Sequence, residues 1–156
     1  MDIKELKPTS IWHYFDAITG VPRPSKKEER IREFLLNFAK EQNLEVKVDK
    51  TGNVVITKEA TPGCEGAPTV ILQAHMDMVC EKNGDVKHDF ERDPIETYID
   101  GEWVKARGTT LGADNGIGMA AAMAVLADKE LKHGRIQALF TVDEETGLTG
   151  AFGLES

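Results

Sequence analysis

Thr69-Val70-Ile71-Leu72-Gln73-Ala74-His75-Met76-Asp77 is the stretch on which the fold turns. Its opening residues, Thr69 to Leu72, form a continuous apolar run, the signature of a strand buried on both faces. The run leads straight into His75 and Asp77. A second buried strand is predicted from Ile136 to Val142, and it leads into Asp143-Glu144-Glu145. Between the two, Asp114 to Ala127 is rich in alanine and reads as a closely packing helix. A strand–helix–strand crossover makes the two strands parallel, so both acidic strand ends reach the same sheet edge.

The flanking sequence supplies the other layers. Ile11, Phe15 and Ile18 recur at helical spacing. Gly20, Pro22 and Pro24 mark a loop. Ser25 and Glu28 form a capping box, which predicts a helix carrying Ile31, Phe34, Leu35, Phe38 and Ala39 on one face. Glu29, Glu33, Asn37 and Lys40 fall on the other. After Asn43 the period drops to two: Leu44, Val46 and Val48 alternate with Glu45, Lys47 and Asp49. Thr51-Gly52-Asn53 turns the chain into a second strand, Val54 to Ile56, giving a hairpin. Residues 59–67 form a loop and Glu81 to Pro94 an irregular region. Asp100-Gly101 is a two-residue turn joining Ile95–Ile99 to Trp103–Ala106. Gly147 to Ser156 starts one more helix. This order predicts an α/β domain with three layers, helix/sheet/helix, around a mixed sheet.

Composition limits the partners. The 156 residues hold 19 Lys and Arg against 27 Asp and Glu, a net charge of −8. That balance argues against a nucleic-acid-binding module, which shows a basic face. No run of about 18 apolar residues predicts a membrane span. Met1 to Lys7 lacks the apolar core of a secretory signal. Cys64 and Cys80 read as free thiols, and the expected location is cytoplasmic.

In an open α/β sheet, ligands bind beyond the carboxyl ends of the strands. There His75, Asp77, Glu144 and Glu145 gather, and Asp114 joins them if the preceding hairpin returns the chain to that edge. One imidazole among several carboxylates suits a divalent cation, zinc first. His75 can ligate through one ring nitrogen while Asp77 accepts from the other. Asp114 has two oxygens with which to bridge two ions. Glu145 can serve the second, and Glu144 is then free as a general base, provided the chain leaves the strand near it.

Each group has a plainer reading alone. His75 is then a loop histidine, Asp114 an N-terminal helix residue, and Glu144-Glu145 a solvated acidic pair. Their joint placement favours a site. Gly116-Ile117-Gly118-Met119-Ala120-Ala121 fits a loose dinucleotide pattern but lacks a strand immediately before it. There is no G-x-S-x-G elbow and no Walker-A lysine. Cys80, Trp12, Trp103 and the methionines are expected to pack inside. His13 is expected on a helix surface and His133 in the turn before the strand at Ile136.

Three segments carry a resemblance to a known family. Ala74-His75-Met76-Asp77-Met78-Val79, Gly112-Ala113-Asp114-Asn115-Gly116-Ile117-Gly118 and Asp143-Glu144-Glu145-Thr146-Gly147 resemble the metal motifs of the co-catalytic zinc aminopeptidase/aminoacylase/carboxypeptidase superfamily. Lys87-His88-Asp89-Phe90, Asp93-Pro94-Ile95 and Thr109-Thr110-Leu111 resemble its bacterial aminoacyl-histidine dipeptidase branch. The resemblance implies a phosphorylase/hydrolase-like catalytic fold and two divalent ions, zinc most often, with cobalt or manganese as substitutes. It implies His75 on the first ion, Glu145 on the second, Asp114 bridging both, Asp77 orienting His75, and a cis peptide at Asp114–Asn115. Glu144 would be the general base in hydrolysis of small peptides, dipeptides ending in histidine foremost.

It also implies a further aspartate and histidine ligand beyond Ser156, a separate lid or dimerisation domain, and a homodimer for the complete protein. On this view residues 1–156 are the N-terminal part of the catalytic domain, truncated and of little activity alone. A related di-zinc tripeptidase, aminoacylase or deacylase shares the metal motifs. A non-catalytic domain that binds metal weakly is the alternative from another class.

Overall fold

Ten helices and strands, together with a short 3₁₀ turn at Ile3–Glu5, make up the computed structural model, which describes residues 2–154. α1 (Thr9–Thr19) buries Phe15 and Ile18, and α2 (Glu29–Glu41) buries Ile31, Leu35, Phe38 and Ala39, the stripe expected from the sequence. Glu29, Glu33, Asn37 and Lys40 are exposed on the outer side of α2. β1 (Glu45–Val48) and β2 (Val54–Lys58) pair as an antiparallel hairpin. β3 (Val70–His75) is followed by a separate hairpin of β4 (Thr97–Asp100) and β5 (Trp103–Ala106). α3 (Ala113–Ala127), β6 (Ile136–Thr141) and the short α4 (Thr149–Phe152) complete the chain.

The main sheet is mixed, in the order β1-β2-β6-β3. β6 pairs antiparallel with β2 and parallel with β3, with His75 opposite Thr141. Both strands that precede acidic clusters therefore end at one edge. Residues in register alternate between faces. Val54, Ile56, Ala74, Ala138 and Phe140 share one core with Phe15, Ile18, Leu35, Met119 and Met123. Burying each large apolar side chain there contributes about 1.5–3 kcal/mol. α3 packs against both α1 and β3, and its alanines let the backbones come close. The opposite face carries Val55, Leu139 and Gln73 by the same alternation. Leu148, Ala151 and Leu154, in and around α4, approach Leu139 and Gln73 there. The helix/sheet/helix layering is thus deep on one face and thin on the other among the described residues.

Five local expectations are corrected. α2 starts at Glu29 with no side-chain cap, because Ser25 and Glu28 are drawn to tertiary partners described below. Val70 and Ile71 are 52% and 61% exposed, because β3 is an edge strand and not an inner one. The β4–β5 turn is Gly101-Glu102, one residue later than expected, since Asp100 still pairs with Trp103 and Gly101 takes the left-handed conformation (φ 62°). Trp103 is 71% exposed on this outlying hairpin, while Trp12 packs partly against the core. Cys80 is only half-buried. Met76, Met78, Met119 and Met123 are buried, and Met1 lies outside the described residues. So does the end of the predicted last helix, of which Thr149–Phe152 forms. His13 is exposed on α1, and His133 precedes β6.

Candidate metal centre

β3 ends on His75, whose ring is 5% exposed and points its two nitrogens at different carboxylates. Nδ1 lies 3.2 Å from Asp77 Oδ1 and 2.9 Å from the Asp77 carbonyl oxygen. Nε2 lies 3.0 Å from Asp114 Oδ1, 3.8 Å from Glu144 Oε2 and 4.0 Å from Glu145 Oε1. Asp77 therefore takes the nitrogen that faces the protein. Asp114, Glu144 and Glu145 surround the one that faces outward.

Asp77 is fully buried and saturated. Its Oδ2 accepts from the Ser25 hydroxyl at 2.7 Å and from the Glu145 N–H at 3.2 Å. Its Oδ1 accepts from the Glu144 N–H at 3.0 Å. Burial alone would raise its pKa. The bonds from His75, Ser25 and the two backbone N–H groups outweigh that and hold it well below the usual carboxylate range. Burial likewise works against a charged His75, yet its bonds to Asp77 and Asp114 and the charge of Glu144 hold its pKa up at about 9. For Glu145, partial burial pushes the pKa up, His75 pulls it down, and Glu144, Asp114 and Asp77 push it up again.

The chain leaves β6 before the glutamate pair, as a base pointing away from its neighbour requires. Asp143 adopts φ 50°, a left-handed conformation that aspartate tolerates better than most residues. Its carboxylate accepts from the hydroxyls of Thr146 and Thr149, both at 2.5 Å. Glu28 accepts from the Asp143 N–H at 2.9 Å and from the Lys26 N–H at 3.0 Å. Glu28, Asp77 and Asp143 form a buried acidic group beneath the open one, and burial raises the Glu28 pKa.

Asp114 opens α3 with non-helical backbone (φ −88°, ψ 110°), and its bond to Asn115 is cis, as the resemblance implies. Its side chain is 85% exposed. Ligand atoms of His75, Asp114 and Glu145 all lie within 4.8 Å of one another. Ligands at about 2.1 Å from a tetrahedral ion stand about 3.4 Å apart, so the 3.0 Å between His75 Nε2 and Asp114 Oδ1 is close to what a cation shared by those two needs. The donor set fits as well: an imidazole already oriented from behind, whose outward nitrogen can trade its proton for a cation, and carboxylates whose mutual repulsion a cation relieves.

A cavity of about 430 Å³ beside this set is lined by His75, Asp114, Asn115 and Glu144 together with Leu139, Leu148, Ala151 and Leu154. A cleft that combines polar groups with apolar surface can orient a small ligand. A larger cavity of about 620 Å³ between α1 and the end of α3 holds Glu5, His13 and Asp128, which form no ligand cluster among the described residues.

Sequence reading missed Arg23 and assigned Ser25 and Glu28 to the wrong task. Arg23 is 2% exposed and donates to the carbonyl oxygens of Met76, Asp77 and Gly112. A charged residue fixed between Pro22 and Pro24 was the available signal. The segments that carry the branch resemblance meet around one cavity of about 610 Å³, lined by Lys87, His88, Asp93, Pro94 and Thr109 among others.

Comparison with known proteins gives a consistent family. Residues 71–155 match the profile of Peptidase family M20/M25/M40. The chain is 53% identical over 154 residues to the Cytosol non-specific dipeptidase of Escherichia coli (strain K12), covering 99% of this chain and 32% of that protein. It superposes on the crystal structure of Aminoacylhistidine Dipeptidase from Vibrio alginolyticus with a TM-score of 0.98 and 58% identity, over 100% of this chain and 32% of that one. A tripeptidase from Staphylococcus aureus gives a TM-score of 0.79 and 26% identity, over 97% of this chain and 40% of that one. The chain spans about a third of the length of the curated relatives it matches.

Proposed function

The chain belongs to Peptidase family M20/M25/M40, and from that premise we propose that it forms the metal-binding part of a dipeptidase, with dipeptides ending in histidine as preferred substrates. One observation carries the reading: His75, Asp114 and Glu145, from three separate stretches, present ligand atoms within 4.8 Å of one another at the cleft. Similarity to proteins described as an aminoacylhistidine dipeptidase and a non-specific dipeptidase supports dipeptides over longer chains. The chain's coverage of a third of the E. coli relative supports reading residues 1–156 as one part of a longer protein, which this reading takes to be the N-terminal part of its catalytic domain. Homodimerisation and a cytoplasmic location belong to the same reading, the latter on the name of the E. coli relative. No described helix is long and apolar enough to cross a membrane.

In this reading His75 would hold one divalent ion and Glu145 a second, with the two oxygens of Asp114 available to both, and zinc would be the first choice. The ions, when bound, supply Lewis-acid polarisation of the scissile carbonyl and lower the pKa of water. Asp77 keeps the His75 Nε2 lone pair directed outward by accepting from Nδ1. Glu144 is 37% exposed at the rim of the cleft. Its carboxylate takes the proton of the attacking water and returns it to the departing amine. Leu139, Leu148 and Leu154 line the same cavity and offer apolar surface to a substrate side chain.

The test is turnover by the full-length protein of His-terminated dipeptides against N-acyl amino acids, with zinc content measured in parallel. Dipeptide hydrolysis lost in Glu144→Gln with zinc retained supports the assignment. Comparable turnover of acyl compounds with none of dipeptides overturns the substrate. Absence of bound divalent metal overturns the centre.

A further inference from the structure

We propose that Arg23 is a positioning residue that sets the spacing between the two loops carrying His75 and Asp114. This rests on the metal reading of those side chains. Arg23 Nη1 donates to the carbonyl oxygens of Met76 (3.0 Å) and Asp77 (3.2 Å), directly after His75. Nη2 donates to the carbonyl oxygen of Gly112, two residues before Asp114. One planar group thus joins the turn after β3 to the loop before α3. Its nitrogens are fixed relative to each other, so the loops cannot slide independently.

The backbone of Arg23 is held as firmly as its side chain. Pro22 and Pro24 flank it, and its carbonyl accepts from the Met78 N–H at 3.2 Å. None of these hydrogen bonds goes to a carboxylate, although the charge of Asp77 offsets part of the burial that lowers its pKa to about 10. A side chain needed only to fill space would be apolar here, because a buried charge is costly. What the guanidinium provides in return is a fork of donors with fixed geometry.

Two glycines make room for it. A Cβ on Gly112 would stand 2.5 Å from Nη2, and one on Gly116 would stand 2.8 Å from it. Gly112 has φ +70°, so its backbone alone calls for glycine. Gly116 has no such conformation. Its missing side chain is explained by the guanidinium and by Phe15 Cε2, which a Cβ would meet at 3.1 Å.

Cobalt(II) titration of the full-length protein, followed by its visible absorption bands, tests the proposal. Arg23→Lys keeps the charge but not the fork. It should weaken Co²⁺ binding at least tenfold and change band intensity, at temperatures where circular dichroism shows a native fold. Gly116→Ala retains Arg23 but displaces its guanidinium, and should shift both readouts the same way. A residue that only supports the fold would lower the melting temperature and leave affinity and spectrum alone. Co²⁺ affinity and bands within twofold of wild type in Arg23→Lys overturn the proposal. If that variant does not fold, Gly116→Ala decides by the same criterion. A wild-type protein that binds no Co²⁺ removes the metal reading, and this inference with it.

Discussion

The imidazole of His75 has an aspartate on each side, and the two are opposites in every respect but chemistry. Asp77 is fully buried and receives hydrogen bonds from Ser25, His75 and two backbone N–H groups. Asp114 is 85% exposed, and the hydrogen bond it makes is to His75. The first is a finished environment in which every lone pair has a use. The second is open, with oxygens turned toward Glu144, Glu145 and the cleft. A carboxylate whose bonds are all internal orients its neighbour. One whose bonds are mostly unmade is available to something that arrives from solution.

The contrast is broken or sharpened by substitution. Asp77→Ala strands Ser25, His75 and two N–H groups in the interior and should cost about 3–5 kcal/mol in urea unfolding. Asp114→Ala should leave the unfolding free energy within about 0.5 kcal/mol of wild type. It should nonetheless weaken zinc binding in calorimetry by more than about a hundredfold, beyond what loss of an orienting group costs. Equal effects on unfolding from the two aspartates would abolish the distinction. Ser25→Ala removes one of the four bonds on Asp77, from a partly buried donor, and should cost about 1.5 kcal/mol. No loss in the same unfolding experiment would mean that Asp77 does not depend on that hydroxyl.

The smallest effect concerns Cys80, whose thiol burial pushes above its ordinary pKa, against the pull of Arg23. Thiolate is the reactive form, so iodoacetamide labelling of Cys80 at pH 8 should run slower than that of a free cysteine and speed up only in more alkaline buffer. Labelling at the free-thiol rate would place Cys80 outside the closed side of the site.

The open side was the legible side. His75, Asp114 and Glu145 stand at ends of elements, and the crossover that makes β3 and β6 parallel brings those ends together whatever the packing. The closed side was not. Ser25 and Glu28 match a local capping pattern, yet their partners lie 52 and 115 residues away, and those bonds displace the cap. Arg23 gives no periodic signal, since its role is defined by carbonyl oxygens 53 to 89 residues distant. Apolar content alone made β3 look like an inner strand. Its neighbour on one side is β6, and position in a sheet is not written in a single strand. Trp103 was misplaced for the same reason: the hairpin of β4 and β5 forms a two-stranded sheet apart from the main one.

The edge position of β3 has a practical result for anyone handling the 156-residue chain by itself. Among the described residues, the side of β3 turned away from β6 offers an unshared ladder of amide donors and acceptors, flanked by Val70 and Ile71 in solvent. Such a margin recruits other strands, including that of a second molecule. The strand that does the recruiting also ends on His75. Aggregates formed along it would crowd the candidate metal ligands, so binding constants should be extrapolated to low protein concentration.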